Sequence, residues 1–157
     1  MIKYIKIIFI IAICLAVGLM SSQITQANIP FWYENLIKPN FTPPNWVFAP
    51  VWTFLFATMG AAAGLVWNQW NDRKEEVQNA LIFFFIQLGL NAFWTYLFFG
   101  LQNILLASVE IIILWLIIYE TYLKFLKFNR WYGYLLIPYL VWVSYATLLT
   151  IVIWYLN

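Results

Sequence analysis

Long stretches without a charged residue dominate this chain, and their lengths predict membrane-spanning helices. A helix needs about 20 mostly apolar residues to cross a hydrocarbon core of about 30 Å. Charge-free runs at 46–70, 77–99 and 131–157 meet that length outright. Two more are nearly clean: 5–20, extended to about 22, has only Lys6 at its edge, and 104–123 contains Glu110 and Glu120. The period-two alternation of a membrane barrel is missing. The pattern predicts one all-α integral membrane domain over 1–157, a bundle of five transmembrane helices at about 5–22, 43–70, 77–99, 104–124 and 131–156. The first span also has features of a cleaved secretory signal, with Lys3 and Lys6 before an apolar run and Thr25-Gln26-Ala27 as a poor small-residue site. Five spans fit the loop spacing better than four.

Three connections are short, at 71–76, 100–103 and 124–130, and join antiparallel neighbours. The first, at 21–43, is long. It interleaves Pro30, Pro39 and Pro43 with Phe31, Trp32, Tyr33 and Phe41, and proline stiffens the chain by fixing φ. Thr42 is placed to cap the second span, with Pro43 in its first turn. A long, stiff aromatic loop reads as a lid. The plainer reading is that its rings rest in the headgroup layer, where Trp and Tyr prefer to lie.

Charge sets an expected orientation. The amino-terminal Lys3 and Lys6, the Arg73-Lys74 loop and the loop with Lys124, Lys127 and Arg130 put seven basic residues on one side, against Lys38 on the other. The amino terminus is therefore expected in the cytoplasm and the carboxyl terminus outside. Of 157 residues, 65% are apolar and 9% charged, where a globular domain has about 45–50% and about 25%. That excludes a cytosolic enzyme and a disordered tail. A net charge of +2 shows no stripe for nucleic acid. With no His and one cysteine, Cys14, zinc sites, Ser-His and Cys-His catalytic pairs and an intrachain disulfide are excluded. No metal and no required cofactor are expected.

The ten tryptophans sort by depth. Trp32, Trp46 and Trp154 fall at the outer edge and Trp67, Trp70 and Trp131 at the inner edge, as aromatic belts. Trp52, Trp94, Trp115 and Trp142 lie deeper: Trp52 is about 9 Å below Trp46, and Trp142 about 16 Å from Trp131. An indole N–H at that depth needs a partner that hydrocarbon lacks. Either these rings fill helix–helix contacts or they line a flat cavity. Gln87, Asn91 and Thr95 recur every four residues and share a face of the third span, with Trp94 close to it. Such a row suits interhelical glue or a pocket that grips polar groups on an apolar ligand. Pro138, Trp142 and Ala146 repeat at four in the fifth span, as do Trp52 and Phe56 in the second. Ala146 leaves room beside an indole. Gly60 and Gly64 form a GxxxG, for close approach within the bundle or between protomers. Glu120 is spaced to pair with Lys124, and Glu110 is an intramembrane acid with no basic residue nearby in sequence.

Trp32-Tyr33, Leu36, Lys38-Pro39, Pro43-Pro44, Trp46, Trp52 and Met59-Gly60, then Gln87, Asn91, Trp94, Ala107, Pro138-Tyr139, Trp142 and Ala146, resemble the signature of the translocator protein family, the tryptophan-rich sensory proteins or peripheral-type benzodiazepine receptors. The resemblance runs from about residue 28 to the carboxyl terminus and points to a bacterial member. It implies a five-helix bundle, often a homodimer, with a pocket closed by the first loop. The implied ligands are porphyrins (protoporphyrin IX, haem) and benzodiazepine-site drugs, in a receptor or carrier serving tetrapyrrole regulation or a stress response. Trp52, Phe56, Asn91, Trp94, Trp142 and Ala146 are the implied ligand-binding residues, with Tyr33 and Pro43 on the lid side; Gln87 joins them as a polar contact. Animal members, which bind cholesterol, carry a terminal Tyr-Arg pair. Tyr155 here precedes Leu156 and Asn157, so the resemblance does not extend sterol binding to this chain.

Two function classes follow. The first is a membrane receptor or carrier that recognises the porphyrin ring rather than its iron, since no His is present to ligate haem. The alternative that the resemblance implies is a light- and oxygen-dependent porphyrin-degrading enzyme, for which it offers Trp52 and Trp142 as redox partners; no conventional catalytic residue is present. A channel or exporter fits poorly, because five spans lack paired repeats.

Overall fold

In the computed structural model, which describes residues 2–157, the charge-free runs fold into five helices long and apolar enough to cross a membrane, and no strand occurs among the described residues. They are α1 (Ile2–Asn28), α2 (Asn45–Trp67), α3 (Lys74–Thr95, continued by a π-helical turn Tyr96–Gly100), α4 (Ile104–Leu126), and a fifth span in two pieces, α5 (Arg130–Tyr134) and α6 (Ile137–Leu156). Their contacts close a ring in the order α1, α2, α6, α4, α3. The backbones of α1 and α2 approach closely, whereas α2 and α6 stand apart and meet through side chains.

The close pair is built on glycine. A Cβ at Gly64 would sit 2.5 Å from the Ile7 Cα, and one at Gly60 would sit 2.7 Å from the Ile11 Cα. The GxxxG therefore serves a contact within the bundle, between α1 and α2.

Several boundaries differ from the sequence reading. The first helix continues to Asn28 rather than ending near 22. Its polar residues fold back on the helix: Ser22 Oγ donates to the Leu19 carbonyl, Thr25 Oγ1 to Ser21 and Asn28 Nδ2 to Ile24, and no proline intervenes before Pro30. The second helix starts at Asn45, with Pro44 at its N-cap and no side-chain cap. Thr42 does not cap it; its hydroxyl donates to the Pro39 carbonyl at 2.8 Å, because each residue before a proline is steered away from helical φ/ψ. The last span is interrupted at Leu135–Leu136, ahead of Pro138, which lacks an N–H and sits in the first turn of α6. Glu120 and Lys124 form no ion pair; the Lys124 ammonium lies 4.3 Å from the centroid of the Phe83 ring.

The π turn lets three consecutive side chains, Leu97, Phe98 and Phe99, all face inward. Over them lies the first loop. Lys38 Nζ gathers it by donating to the carbonyls of Tyr33 (2.7 Å) and Leu36 (3.0 Å). Asn157 holds Ile37 by two hydrogen bonds, accepting from its N–H and donating to its carbonyl, both at 2.9 Å. Tyr145 Oη donates to the Phe41 carbonyl at 2.5 Å. The loop rings divide: Phe31 and Phe41 are exposed, while Tyr33 is buried and Trp32 packs edge-on to Phe98 at 5.1 Å. Trp32 is thus a packing residue as well as an edge residue.

Candidate functional site

The seam between α2 and α6 is filled by rings. Trp52 meets Trp142 edge to face at 6.5 Å and Tyr139 likewise at 6.2 Å, and lies tilted against Phe56 at 5.7 Å. Phe48 continues the array from Trp142 (6.2 Å) to Tyr33 (6.4 Å), and Tyr33 in turn touches Phe98 and Phe99. Trp94 stacks on Phe98, centroids 5.1 Å apart and planes within 16°. The deep tryptophans Trp52 and Trp142 and the loop residue Tyr33 thus belong to one continuous aromatic array, joined through Phe98 to Trp94. In this conformation the rings rest against one another. A shallow apolar groove of about 480 Å³ lies elsewhere, lined chiefly by Leu81, Ile82, Phe85 and Ile86 of α3.

The polar face of α3 has a defined task. Asn91 Nδ2 donates to Tyr139 Oη at 2.9 Å, and that hydroxyl donates to Gln87 Oε1 at 2.8 Å. Gln87 Nε2 reaches the Met59 sulfur at 3.8 Å. All three polar residues are buried, so two amides of α3 are tied to α6 through one hydroxyl. The periodicity placed Gln87 and Asn91 on an inward face, and Tyr139 is the residue it missed. Its ring lies three residues before Trp142 and seven before Ala146, a helical stripe that contains Tyr139 in place of the exposed Pro138. Thr95 donates to the Asn91 carbonyl at 3.5 Å, within its own helix. Ala146 is half-buried against the same core, and Pro43 is half-buried in the segment leading into α2.

Of the other deep indoles, Trp115 donates its N–H to Ser144 Oγ of α6 at 2.8 Å, which is the packing role. The Trp94 N–H is different: it is buried and has no partner among the described residues, and the same holds for the Tyr33 hydroxyl. Burial, with Tyr145 nearby, pushes the Tyr33 phenol up to about 12, so at neutral pH it is a donor. The site therefore offers flat apolar faces and two buried donor groups without a partner among the described residues, on two rings that both touch Phe98. That arrangement can stack a planar molecule and hold oxygens at its edge. No cluster of metal-ligating side chains occurs among the described residues.

The TspO/MBR family model matches residues 10–156. The chain is 43% identical to the tryptophan-rich protein TspO of Chlorobaculum tepidum over 94% of its own length and 92% of that relative. It is 38% identical to the tryptophan-rich protein TspO of Archaeoglobus fulgidus, with 97% of each chain covered. To the translocator protein of Sus scrofa it is 31% identical over 87% of this chain and 81% of the relative.

Proposed function

The chain belongs to the TspO/MBR family of multi-pass integral membrane proteins, and on that premise we propose that it is a receptor or carrier that binds porphyrins, and benzodiazepine-site-type ligands, in the aromatic seam between α2 and α6. The observation that carries the reading is the pair of unpartnered donors, Tyr33 Oη and Trp94 Nε1, set at one end of the Trp52–Trp142 array. A tetrapyrrole is flat, apolar and edged by carboxylates. Its faces suit the indoles of Trp52, Trp94 and Trp142, and its carboxylates suit the two donors, each of which is costly to leave unpaired in an apolar setting. Because the rings now touch, an occupant would part Trp52 from Trp142 and displace part of the loop held by Asn157 and Tyr145. No His is present to ligate iron, so recognition runs through the ring. The expected orientation is an amino terminus in the cytoplasm, supported by the seven-to-one split of basic residues.

The test is a titration of the full chain in nanodiscs with protoporphyrin IX and, in parallel, haem, followed by tryptophan quenching. Similar affinities for the two are expected. Haem binding far more tightly than the metal-free ring, or no saturable binding of either, overturns the reading.

A further inference from the structure

Glu110 has no place in the porphyrin reading. It lies on the buried stripe of α4 with Ala107, Ile111 and Leu114, is 6% exposed, and neither carboxylate oxygen has a partner among the described residues. Its depth can be placed. Leu97 of the π-helical turn that continues α3, Ala107 of α4 and Leu149 of α6 share one buried cluster with Tyr33. Moving three residues away from the loop along each antiparallel helix leads to Trp94, Glu110 and Ala146, each about 4.5 Å deeper. The acid therefore shares a layer of the bundle with two residues of the candidate site.

No basic residue pairs with Glu110 among the described residues. Arg73 pairs with Glu76, Lys6, Lys38, Lys74, Lys124 and Arg130 each lie over an aromatic ring, and the remaining two, Lys3 and Lys127, lie at the opposite end of the bundle from the first loop. An intramembrane acid normally finds a cation, a donor or a transported species. Ionised, it only accepts hydrogen bonds. The same layer holds the Trp94 indole, and indole faces attract cations.

We infer that Glu110 is the anionic anchor for a second class of ligand at this layer, a flat apolar molecule carrying a protonated nitrogen. The nitrogen meets the carboxylate while the aromatic body lies against Trp94 and its neighbours. This ligand class is opposite in charge to a porphyrin's carboxylate edge and is recognised by a different residue.

The experiment uses the full chain in phosphatidylcholine nanodiscs, with empty nanodiscs subtracted. The probes are 9-aminoacridine, a cation at neutral pH, and acridine, its neutral counterpart. Wild type is expected to bind 9-aminoacridine at least about tenfold more tightly, Glu110→Gln to lose that preference, and Glu110→Asp to keep part of it. Protoporphyrin IX binding is measured on the same samples and is expected to survive Glu110→Gln, which separates this proposal from the porphyrin reading. As a check that needs no variant, 9-aminoacridine and not acridine should protect Glu110 of wild type from dicyclohexylcarbodiimide, read by peptide mass. Equal binding of the two probes, a preference retained in Glu110→Gln, or equal protection each overturns the inference.

Discussion

Trp52 and Trp142 meet at a right angle, one ring edge directed at the other face, with centroids 6.5 Å apart. They come from α2 and α6, the neighbouring helices whose backbones stand apart, so this contact is a principal tie across the seam. Edge-to-face pairs contribute about 0.5–1.5 kcal/mol beyond their burial. Trp142→Phe and Trp52→Phe should each weaken protoporphyrin IX binding about two- to tenfold. A double-mutant cycle should show the two losses to be non-additive, since both rings would face one occupant. Unchanged affinity in both variants would remove the seam from the site.

Gly64 makes the opposite kind of contact, with no side chain at all. A methyl placed there would meet the Ile7 Cα at 2.5 Å, backbone that cannot step aside as a flexible side chain would. Gly64→Ala should push α1 from α2 and cost about 1–3 kcal/mol by overpacking, read as a fall in midpoint in a detergent unfolding series. Gly89, whose added Cβ would meet nothing within 4 Å, provides the control: Gly89→Ala should be neutral or stabilising.

Tyr139 Oη links two buried amides of α3 to the last span. Tyr139→Phe keeps the ring against Trp52 and removes only the hydroxyl. It leaves Gln87 Oε1 and Asn91 Nδ2 without that partner, at about 1–3 kcal/mol in total, with values toward the lower end usual inside membranes. Unfolding midpoints of the wild type, Tyr139→Phe and Gln87→Leu/Tyr139→Phe should show the double variant recovering part of the loss, since the unpaired carbonyl is then gone.

These relationships differ in how far the sequence revealed them. The five spans were legible because runs of about 20 residues without charge have few other uses. The inward face of α3 was legible from the four-residue spacing of Gln87, Asn91 and Thr95. The partner of those amides was not: Tyr139 is one phenol among ten tyrosines, and only the closed bundle, which brings its hydroxyl from α6 to the inner face of α3, selects it. The end of α1 was hidden because Ser22, Thr25 and Asn28 are compatible with a loop or with a helix whose carbonyls they bond. The break before Pro138 was in plain view, as proline tolerates only the first turn, yet the apolar run around it masked the boundary. Glu110 was visible as an intramembrane acid, and its lack of a partner emerges only when every neighbouring helix is in place.

The loop has a pH dependence with a definite sign. The Tyr33 phenol is buried, and burial together with nearby Tyr145 moves it from an ordinary value of 10.0 to about 12. The folded loop thus prefers the neutral phenol more strongly than the unfolded chain does. Its contribution to holding the loop is complete below pH 10 and is lost as pH rises through about 12. Asn40 is exposed on the same loop, and the native Cys14 is fully buried, so an environment-sensitive dye on Asn40→Cys reports loop release selectively. A transition between pH 10 and about 12 is expected, absent in Tyr33→Phe, while Asn157→Ala, which removes both bonds to Ile37, should loosen the loop at every pH without shifting that transition. A transition of unchanged position and amplitude in Tyr33→Phe would assign it to another group.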